Sequence, residues 1–133
     1  MKKQIEQLKE FHKTYKVPLR DKPIIIPHKE FDMRQTILQE EVDELYIADQ
    51  KEDIIEVADA IVDCIYILIG TAVQCGLGDV LEKCFEEVHR SNMSKLDEQG
   101  KPIYRADGKV LKGNLYSPPD LKSILYPNEN KSI

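Results

Sequence analysis

Apolar residues recur at helical spacing along most of this chain. Ile5, Leu8, Phe11 and Tyr15 follow one another at one-turn intervals and predict a first helix over residues 1–16. Pro18, Pro23 and Pro27 then predict an extended loop over 17–28. Met33, Ile37 and Leu45, with Val42 close by, mark the apolar side of a second helix over about residues 29–49. A third begins near Lys51 or Glu52 and continues to Cys75, with Gly76 as its stop. Leu81, Phe85 and Val88 place a fourth over about residues 79–95.

Beyond Leu96 the pattern changes. Two short β-prone runs, 102–105 and 109–112, flank Ala106-Asp107-Gly108, which predicts a hairpin. Ser117-Pro118-Pro119 opens an extended arm, and residues 126–133 are expected to fray. The expected fold is all-α, a four-helix bundle-like core with a C-terminal β-hairpin and extended arm. It is expected to be a single domain over residues 1–125, with the helical core at about 1–96 and the hairpin and arm at about 97–125.

Composition adds little to this, and charge adds more. With 133 residues, 41% hydrophobic and 32% charged, the chain can bury a core without disulfides. Cys64, Cys75 and Cys84 are odd in number and lack metal-ligand spacing, so free, buried thiols are expected. Residues 1–11 lack the apolar block of a signal peptide. The apolar stretch 54–75 is interrupted by Glu56, Asp59 and Asp63, a poor membrane span. A cytoplasmic protein is expected. Residues 38–63 hold ten acids against one base, Lys51, whereas residues 88–125 hold seven bases against four acids. An acidic middle beside a basic tail points to a cation site near an anion site. The net charge of −5 has the wrong sign for a nucleic-acid polymer as partner.

Glu56, Asp59 and Asp63 are the acids that need an explanation. At 100° per residue they share an arc of about 60° on a helix otherwise apolar all round, whose burial is expected. Buried like charges repel and lose hydration, so bases or bound cations must offset them. The preceding helix supplies further acid, because Glu40, Glu41 and Glu44 share an arc of about 100°. A short turn near Asp49–Lys51 would set the two helices antiparallel and bring positions 44 and 56 level. Carboxylates converging without bases favour a hard cation, Mg²⁺ or Mn²⁺ rather than Zn²⁺. Asp43, Asp49, Glu52 and Asp53 read as a solvated face.

Glu40-Glu41-Val42-Asp43-Glu44, followed by Glu56-Val57-Ala58-Asp59, resembles the Glu-Glu-x-x-Glu…Glu-x-x-Asp signature of the all-α nucleoside triphosphate pyrophosphohydrolases. That superfamily includes MazG proteins, dimeric dUTPases and phosphoribosyl-ATP pyrophosphohydrolase. The run Ser91-Asn92-Met93-Ser94-Lys95-Leu96, with Asp107-Gly108-Lys109-Val110 and Lys112-Gly113, is similar to its MazG-like branch, and the resemblance covers residues 31–121. It implies a MazG-type fold and Mg²⁺-dependent cleavage between the α- and β-phosphates of a nucleotide, giving a nucleoside monophosphate and pyrophosphate. By position it implies Glu41, Glu44, Glu56 and Asp59 as metal ligands. Glu40 would orient or deprotonate the attacking water, or hold a further metal. Asn92, Lys95, Lys112 and Tyr116 would contact substrate, with Lys95 on phosphate. The relatives' Lys-Gly-Pro-Asn-Tyr is here Lys112-Gly113-Asn114-Leu115-Tyr116, so a role for that Asn does not transfer.

Two residues stand outside the implied set. Asp63 completes the stripe on physical grounds alone. Arg34 lies on the face of Glu41, to meet a phosphate or, the preferred reading, to neutralise the acids. The apolar surface of the paired helices, and the habit of the relatives, predict a homodimer or homotetramer. Two other classes compete. A di-iron bundle needs two Glu-x-x-His motifs, and only Glu86-Glu87-Val88-His89 is present. A non-enzymatic metal- or nucleotide-binding helical interaction protein would need a basic partner to cover the stripe.

Overall fold

The computed structural model of the chain describes residues 1–129. Five helices form among them: α1 (Lys2–Thr14), α2 (His28–Gln50), α3 (Ile54–Gln74), α4 (Leu81–Met93) and α5 (Leu121–Leu125). The architecture is all-α, and no helix among the described residues is long and apolar enough to cross a membrane. The chain divides into two compact units, Met1–Asp79 and Val80–Ile133.

In the first unit α3 is the central element, packed against both α2 and α1. Ile5 and Leu8 of α1, Ala48 of α2 and Ala60, Ile69, Ala72 and Val73 of α3 are buried, together with Ile26 from the loop before α2. Arg34, early in α2, bonds Thr71, late in α3. Glu44, late in α2, shares a cavity wall with Glu56 and Asp59, early in α3. The two helices are therefore antiparallel, as the short turn requires. That turn is tighter than its sequence indicates. Glu52 takes a left-handed φ of 55°, and α3 begins at Ile54 rather than at Lys51 or Glu52. Asp53 is no solvated surface acid. Its carboxylate accepts the N–H of Ile55 at 3.0 Å and of Glu56 at 3.2 Å, capping α3.

The proline-rich loop has a specific task at the other end of α3. Arg20 N–H donates to the Val73 carbonyl at 3.3 Å and Ile24 N–H to that of Cys75 at 3.0 Å. The Arg20 guanidinium reaches the Gln74 carbonyl at 2.9 Å. Carbonyls that a helix C-terminus leaves without partners are thus satisfied by the loop. The same arginine pairs with Glu30 at 3.1 Å.

The expectation that α3 is buried all round is corrected. Ile54, Ile55, Ile61, Val62, Ile65 and Leu68 are exposed, because α1 and α2 cover only two sides of the helix. The three cysteines are free and half-buried rather than buried.

In the second unit α4 packs against α5. The β-hairpin expected around Asp107-Gly108 does not form. Among the described residues only isolated bridges occur there, Leu96 with Pro102 and Tyr104 with Val110. They belong to two successive tight turns, closed by Asp97 N–H to Lys101 O and Arg105 N–H to Lys109 O, both 2.7 Å. Pro102 has no N–H to extend a ladder. Tyr104 and Val110 are also exposed, so no buried face rewards longer pairing. The arm has no regular structure over residues 116–120. Asp120 then accepts the Ser123 N–H at 3.1 Å and starts α5. Of the segment expected to fray, residues 130–133 lie outside the described residues.

Candidate functional site

The acid stripes of α2 and α3 meet as the antiparallel pairing demands. Glu41 is half-buried, and its Oε2 is buried without a hydrogen-bond partner. Burial, then the Glu44 and Asp63 charges, a side-chain hydrogen bond with Glu44 and the Asp59 charge, push the Glu41 carboxyl above the ordinary glutamate range. Three acids from the two helices thus sit close enough to act on Glu41. Cys64 feels the same field: burial, with Glu41 and Asp63 beside it, raises its thiol. Glu44, Glu56 and Asp59 are exposed and, with Ile47, Lys51 and Ala60, line a cavity of about 390 Å³. Glu40 is exposed on α2, one residue from Glu41.

Lys51 changes the picture drawn from the sequence. Its Nζ lies 3.2 Å from Glu56 Oε2, in the wall of this cavity. It is the lone base of the acidic stretch, and that isolation was the available signal. Both partners are more than half exposed, 57% and 51%, so the pair is worth about 0–1 kcal/mol. Among the described residues no ion pair reaches Glu41, Asp59 or Asp63.

Among the described residues no three His, Cys, Asp or Glu side chains converge tightly enough to chelate a metal as they stand. The donor chemistry nevertheless fits a hard divalent cation: every nearby acid is a carboxylate, and one buried oxygen lacks a partner.

Arg34 bonds α3 through two of its guanidinium nitrogens. Its Nε donates to Thr71 Oγ1 at 3.0 Å and its Nη2 to the Ile67 carbonyl at 2.8 Å. Burial draws the guanidinium below the ordinary arginine value. Its neighbour across Gly70 is His12, which is 1% exposed and holds the Pro18 carbonyl through Nδ1 at 3.0 Å. Arg34 therefore ties α2 to α3. The helical repeat that put it on the face of Glu41 could not tell which helix it would bond.

The second unit brings together two of the four residues implied for substrate. Lys112 Nζ sits 4.6 Å from the centre of the Tyr116 ring. A hydrogen bond from Ser91, then the Lys112 and Lys95 charges, hold the Tyr116 phenol below its ordinary range. Lys112 is thus the neighbour of Tyr116, and the Lys95 charge is felt there. Asn92 is exposed on α4, and its carbonyl accepts the Lys95 N–H at 3.2 Å. Ser91, 2% exposed, was not singled out in the sequence. Its signal was its place on the polar stripe Glu87, Arg90, Ser91, Ser94.

No curated protein matches the sequence. Among solved structures, a candidate NTP pyrophosphohydrolase from Exiguobacterium sp. 255-15 is 25% identical, with 96% of each chain covered and a TM-score of 0.43. The sequence pattern of the phosphoribosyl-ATP pyrophosphohydrolase family matches residues 8–92, which include both acidic helices. The chain belongs to that family, within the MazG-like all-α NTP pyrophosphohydrolases.

Proposed function

We propose that this protein is a Mg²⁺-dependent nucleotide pyrophosphohydrolase, which adds water across the α–β phosphate bond of a nucleoside triphosphate or related nucleotide. The products are a nucleoside monophosphate and pyrophosphate. The observation that carries the reading is the buried, unpartnered Glu41 Oε2 among the Glu44, Asp59 and Asp63 carboxylates. Such a group is costly to leave unpaired, and a bound cation removes the cost.

Glu41, Glu44, Glu56 and Asp59 would hold the metal, Mg²⁺ or Mn²⁺, with Asp63 raising the local negative charge. When bound, the ion polarises phosphoryl oxygens and makes water a better nucleophile at neutral pH. Glu40, exposed beside this set, would orient the water and accept its proton. Lys95 and Lys112 would bind phosphate oxygens and offset their charge, with Tyr116 and Asn92 as further contacts. Lys51 would give up Glu56 when the cation takes that carboxylate. Catalysis of this kind is mostly positioning and charge neutralisation.

The exposed apolar side chains of α3 further support a homodimer or homotetramer. Ile61, Val62, Ile65 and Leu68 are 43–58% exposed on one helix, a surface that self-association would cover. Light scattering should give a mass of two or four chains, and a strict monomer at working concentration would remove this part of the reading.

A panel of ribo- and deoxyribonucleoside triphosphates with Mg²⁺, scored for pyrophosphate and orthophosphate, tests the activity. Pyrophosphate should appear in step with the monophosphate. It should vanish in Glu56→Ala and Asp59→Ala while their circular dichroism is unchanged. Orthophosphate as sole product, or near-normal turnover in either variant, would contradict the assignment.

A further inference from the structure

Arg34 stands two helical turns before Glu41, on the same face of α2. Its guanidinium reaches two acceptors on α3 that are themselves one turn apart. Nε donates to Thr71 Oγ1 at 3.0 Å and Nη2 to the Ile67 carbonyl at 2.8 Å. Thr71 Oγ1 donates in turn to the same Ile67 carbonyl, also at 2.8 Å. The three groups close a ring of hydrogen bonds, which fixes the height of α2 along α3 as well as the distance between them. Gly70 makes room for this ring: a Cβ added there would lie 2.7 Å from Arg34 Nη2 and 3.0 Å from His12 Nε2. No ion pair among the described residues holds Arg34, so its bonds to neutral groups place it.

The ring also sets which acids meet. Two turns along α2 from Arg34 comes Glu41, and two turns back along α3 from Thr71 and Ile67 come Cys64 and Ala60. In an antiparallel pair those positions are level, and Asp63 is the one acid in residues 60–64. A further turn brings Glu44 level with residues 57–61, which hold Asp59. That register agrees with the cavity wall shared by Glu44, Asp59 and Ala60. One turn beyond Arg34, away from the acids, Gln74 Nε2 donates to Glu30 Oε2 at 2.9 Å. Arg34 is the nearer rung. Between it and the Lys51–Glu56 pair, no ion pair among the described residues joins the two helices. A slip of one residue would carry the carboxylates about 1.5 Å past one another. A displacement of about 1 Å is enough to cost a catalytic arrangement about a hundredfold.

We propose that Arg34 is a positioning residue: its ring with Thr71 and Ile67 sets the register of α2 on α3, and so holds Glu41 and Glu44 level with Asp63 and Asp59, where they can share a divalent cation. This rests on the reading that these carboxylates bind the metal. Like charges brought together oppose the pairing of their own helices, so a tie outside the cluster must hold the pair in register. A guanidinium suits that task, because its planar fork serves two acceptors at once, whereas an ammonium is a single point.

Mn²⁺ is the probe, titrated into the full-length protein well below its melting temperature, with the free ion counted by electron paramagnetic resonance. Arg34→Lys, Thr71→Val and Gly70→Ala should each weaken Mn²⁺ binding about tenfold. Arg34→Lys combined with Thr71→Val should lose little more than either, since both open the same ring. Thr71→Ser keeps the hydroxyl and should restore most of the affinity. Helix content by circular dichroism should be unchanged, and kcat should fall more than KM for nucleotide rises. If Arg34→Lys is poorly folded, Thr71→Val carries the test alone, because it keeps the branched shape and removes the hydroxyl. A tie that only stabilises the fold would lower the melting temperature and leave the Mn²⁺ affinity within twofold of wild type. That result in Arg34→Lys and Thr71→Val, while Glu41→Gln binds weakly, overturns the positioning role and leaves the metal reading standing. A raised KM with unchanged Mn²⁺ affinity in Arg34→Lys would make Arg34 a substrate contact and overturn the positioning role as well. Wild-type Mn²⁺ affinity in both Glu41→Gln and Asp59→Asn overturns the metal reading, and the positioning role with it.

Discussion

Replacing Gly76 by alanine should destabilise the first unit by several kilocalories, whereas the same change at Gly78 should be nearly silent. Gly76 has a φ of +72°, in the left-handed region, and a Cβ built there would lie 1.9 Å from the Lys22 carbonyl oxygen. An ordinary contact begins at 3.4 Å, so the loop must retreat by about 1.5 Å, from 1.9 to 3.4 Å. Alanine in the left-handed conformation costs about 1–2 kcal/mol. Retreat of the loop breaks Ile24 N–H to Cys75 O and Arg20 N–H to Val73 O, at about 1 kcal/mol each. The expected loss is about 3–4 kcal/mol, a large share of the roughly 5–15 kcal/mol that folds a domain. At Gly78 the nearest atom to an added Cβ is the flexible Lys9 Cε at 3.3 Å, and the φ is not left-handed. That substitution should cost less than about 1 kcal/mol, because the lysine tip can give way and the next neighbours, Ile5 at 3.4 Å and Val73 at 3.6 Å, are at ordinary contact distance. Urea unfolding followed by circular dichroism measures both, with the slope checked for constancy. A Gly76→Ala loss below about 1 kcal/mol, or equal to that of Gly78→Ala, would refute the picture of a loop clamped onto the α3 C-terminus.

Other outcomes follow from the same contacts. Asp53→Ala removes the acceptor for Ile55 and Glu56 N–H and should cost about 1 kcal/mol in urea unfolding. Asp53→Asn should recover most of it, and an equal loss in both variants would count against capping. Glu87 is held down to about 2 by Arg90, then by the Asp120 N–H. A depressed carboxyl stabilises the folded state above its unfolded value and loses that contribution as pH falls toward its folded value. The α4–tail bonds should therefore weaken between about pH 4.5 and 2 in wild type, seen as faster amide exchange at Asp120, and Glu87→Gln should exchange fast throughout. In the absence of metal, Glu41→Gln should raise the melting temperature, because it relieves repulsion from Glu44, Asp63 and Asp59. The same variant should lose most of the melting-temperature gain given by Mg²⁺, and a lower apo melting temperature would contradict the crowding of these acids.

Helix order and the pairing of the acids were legible in the sequence because both follow from period and spacing. Apolar residues at helical intervals gave α1 to α4 within a few residues, and a short connection forced α2 and α3 antiparallel. The level of Glu44 with Glu56 followed from counting. What escaped was decided by local backbone and by solvent. Glu52 adopts a left-handed φ and Asp53 caps α3, so acids that read as surface charge set the helix start. The Asp-Gly turn forms without strands, because Tyr104 and Val110 stay exposed and offer no buried face. A periodic pattern gives the face of a residue but not its partner. Arg34 was placed near the acids and instead bonds Thr71 and Ile67, while Lys51 entered the cavity unannounced.

The account stands on the carboxylates of α2 and α3 gathering a divalent cation. Adding substoichiometric Mn²⁺ to isotope-labelled protein tests this directly, because a bound paramagnetic ion broadens the amide signals nearest to it. The signals of Glu41, Glu44, Glu56, Asp59 and Asp63 should broaden first and sharpen again when excess Mg²⁺ displaces the Mn²⁺, while those of α1 should stay sharp. Broadening that begins elsewhere in the chain, or none at these residues with Mn²⁺ in excess, would contradict the account.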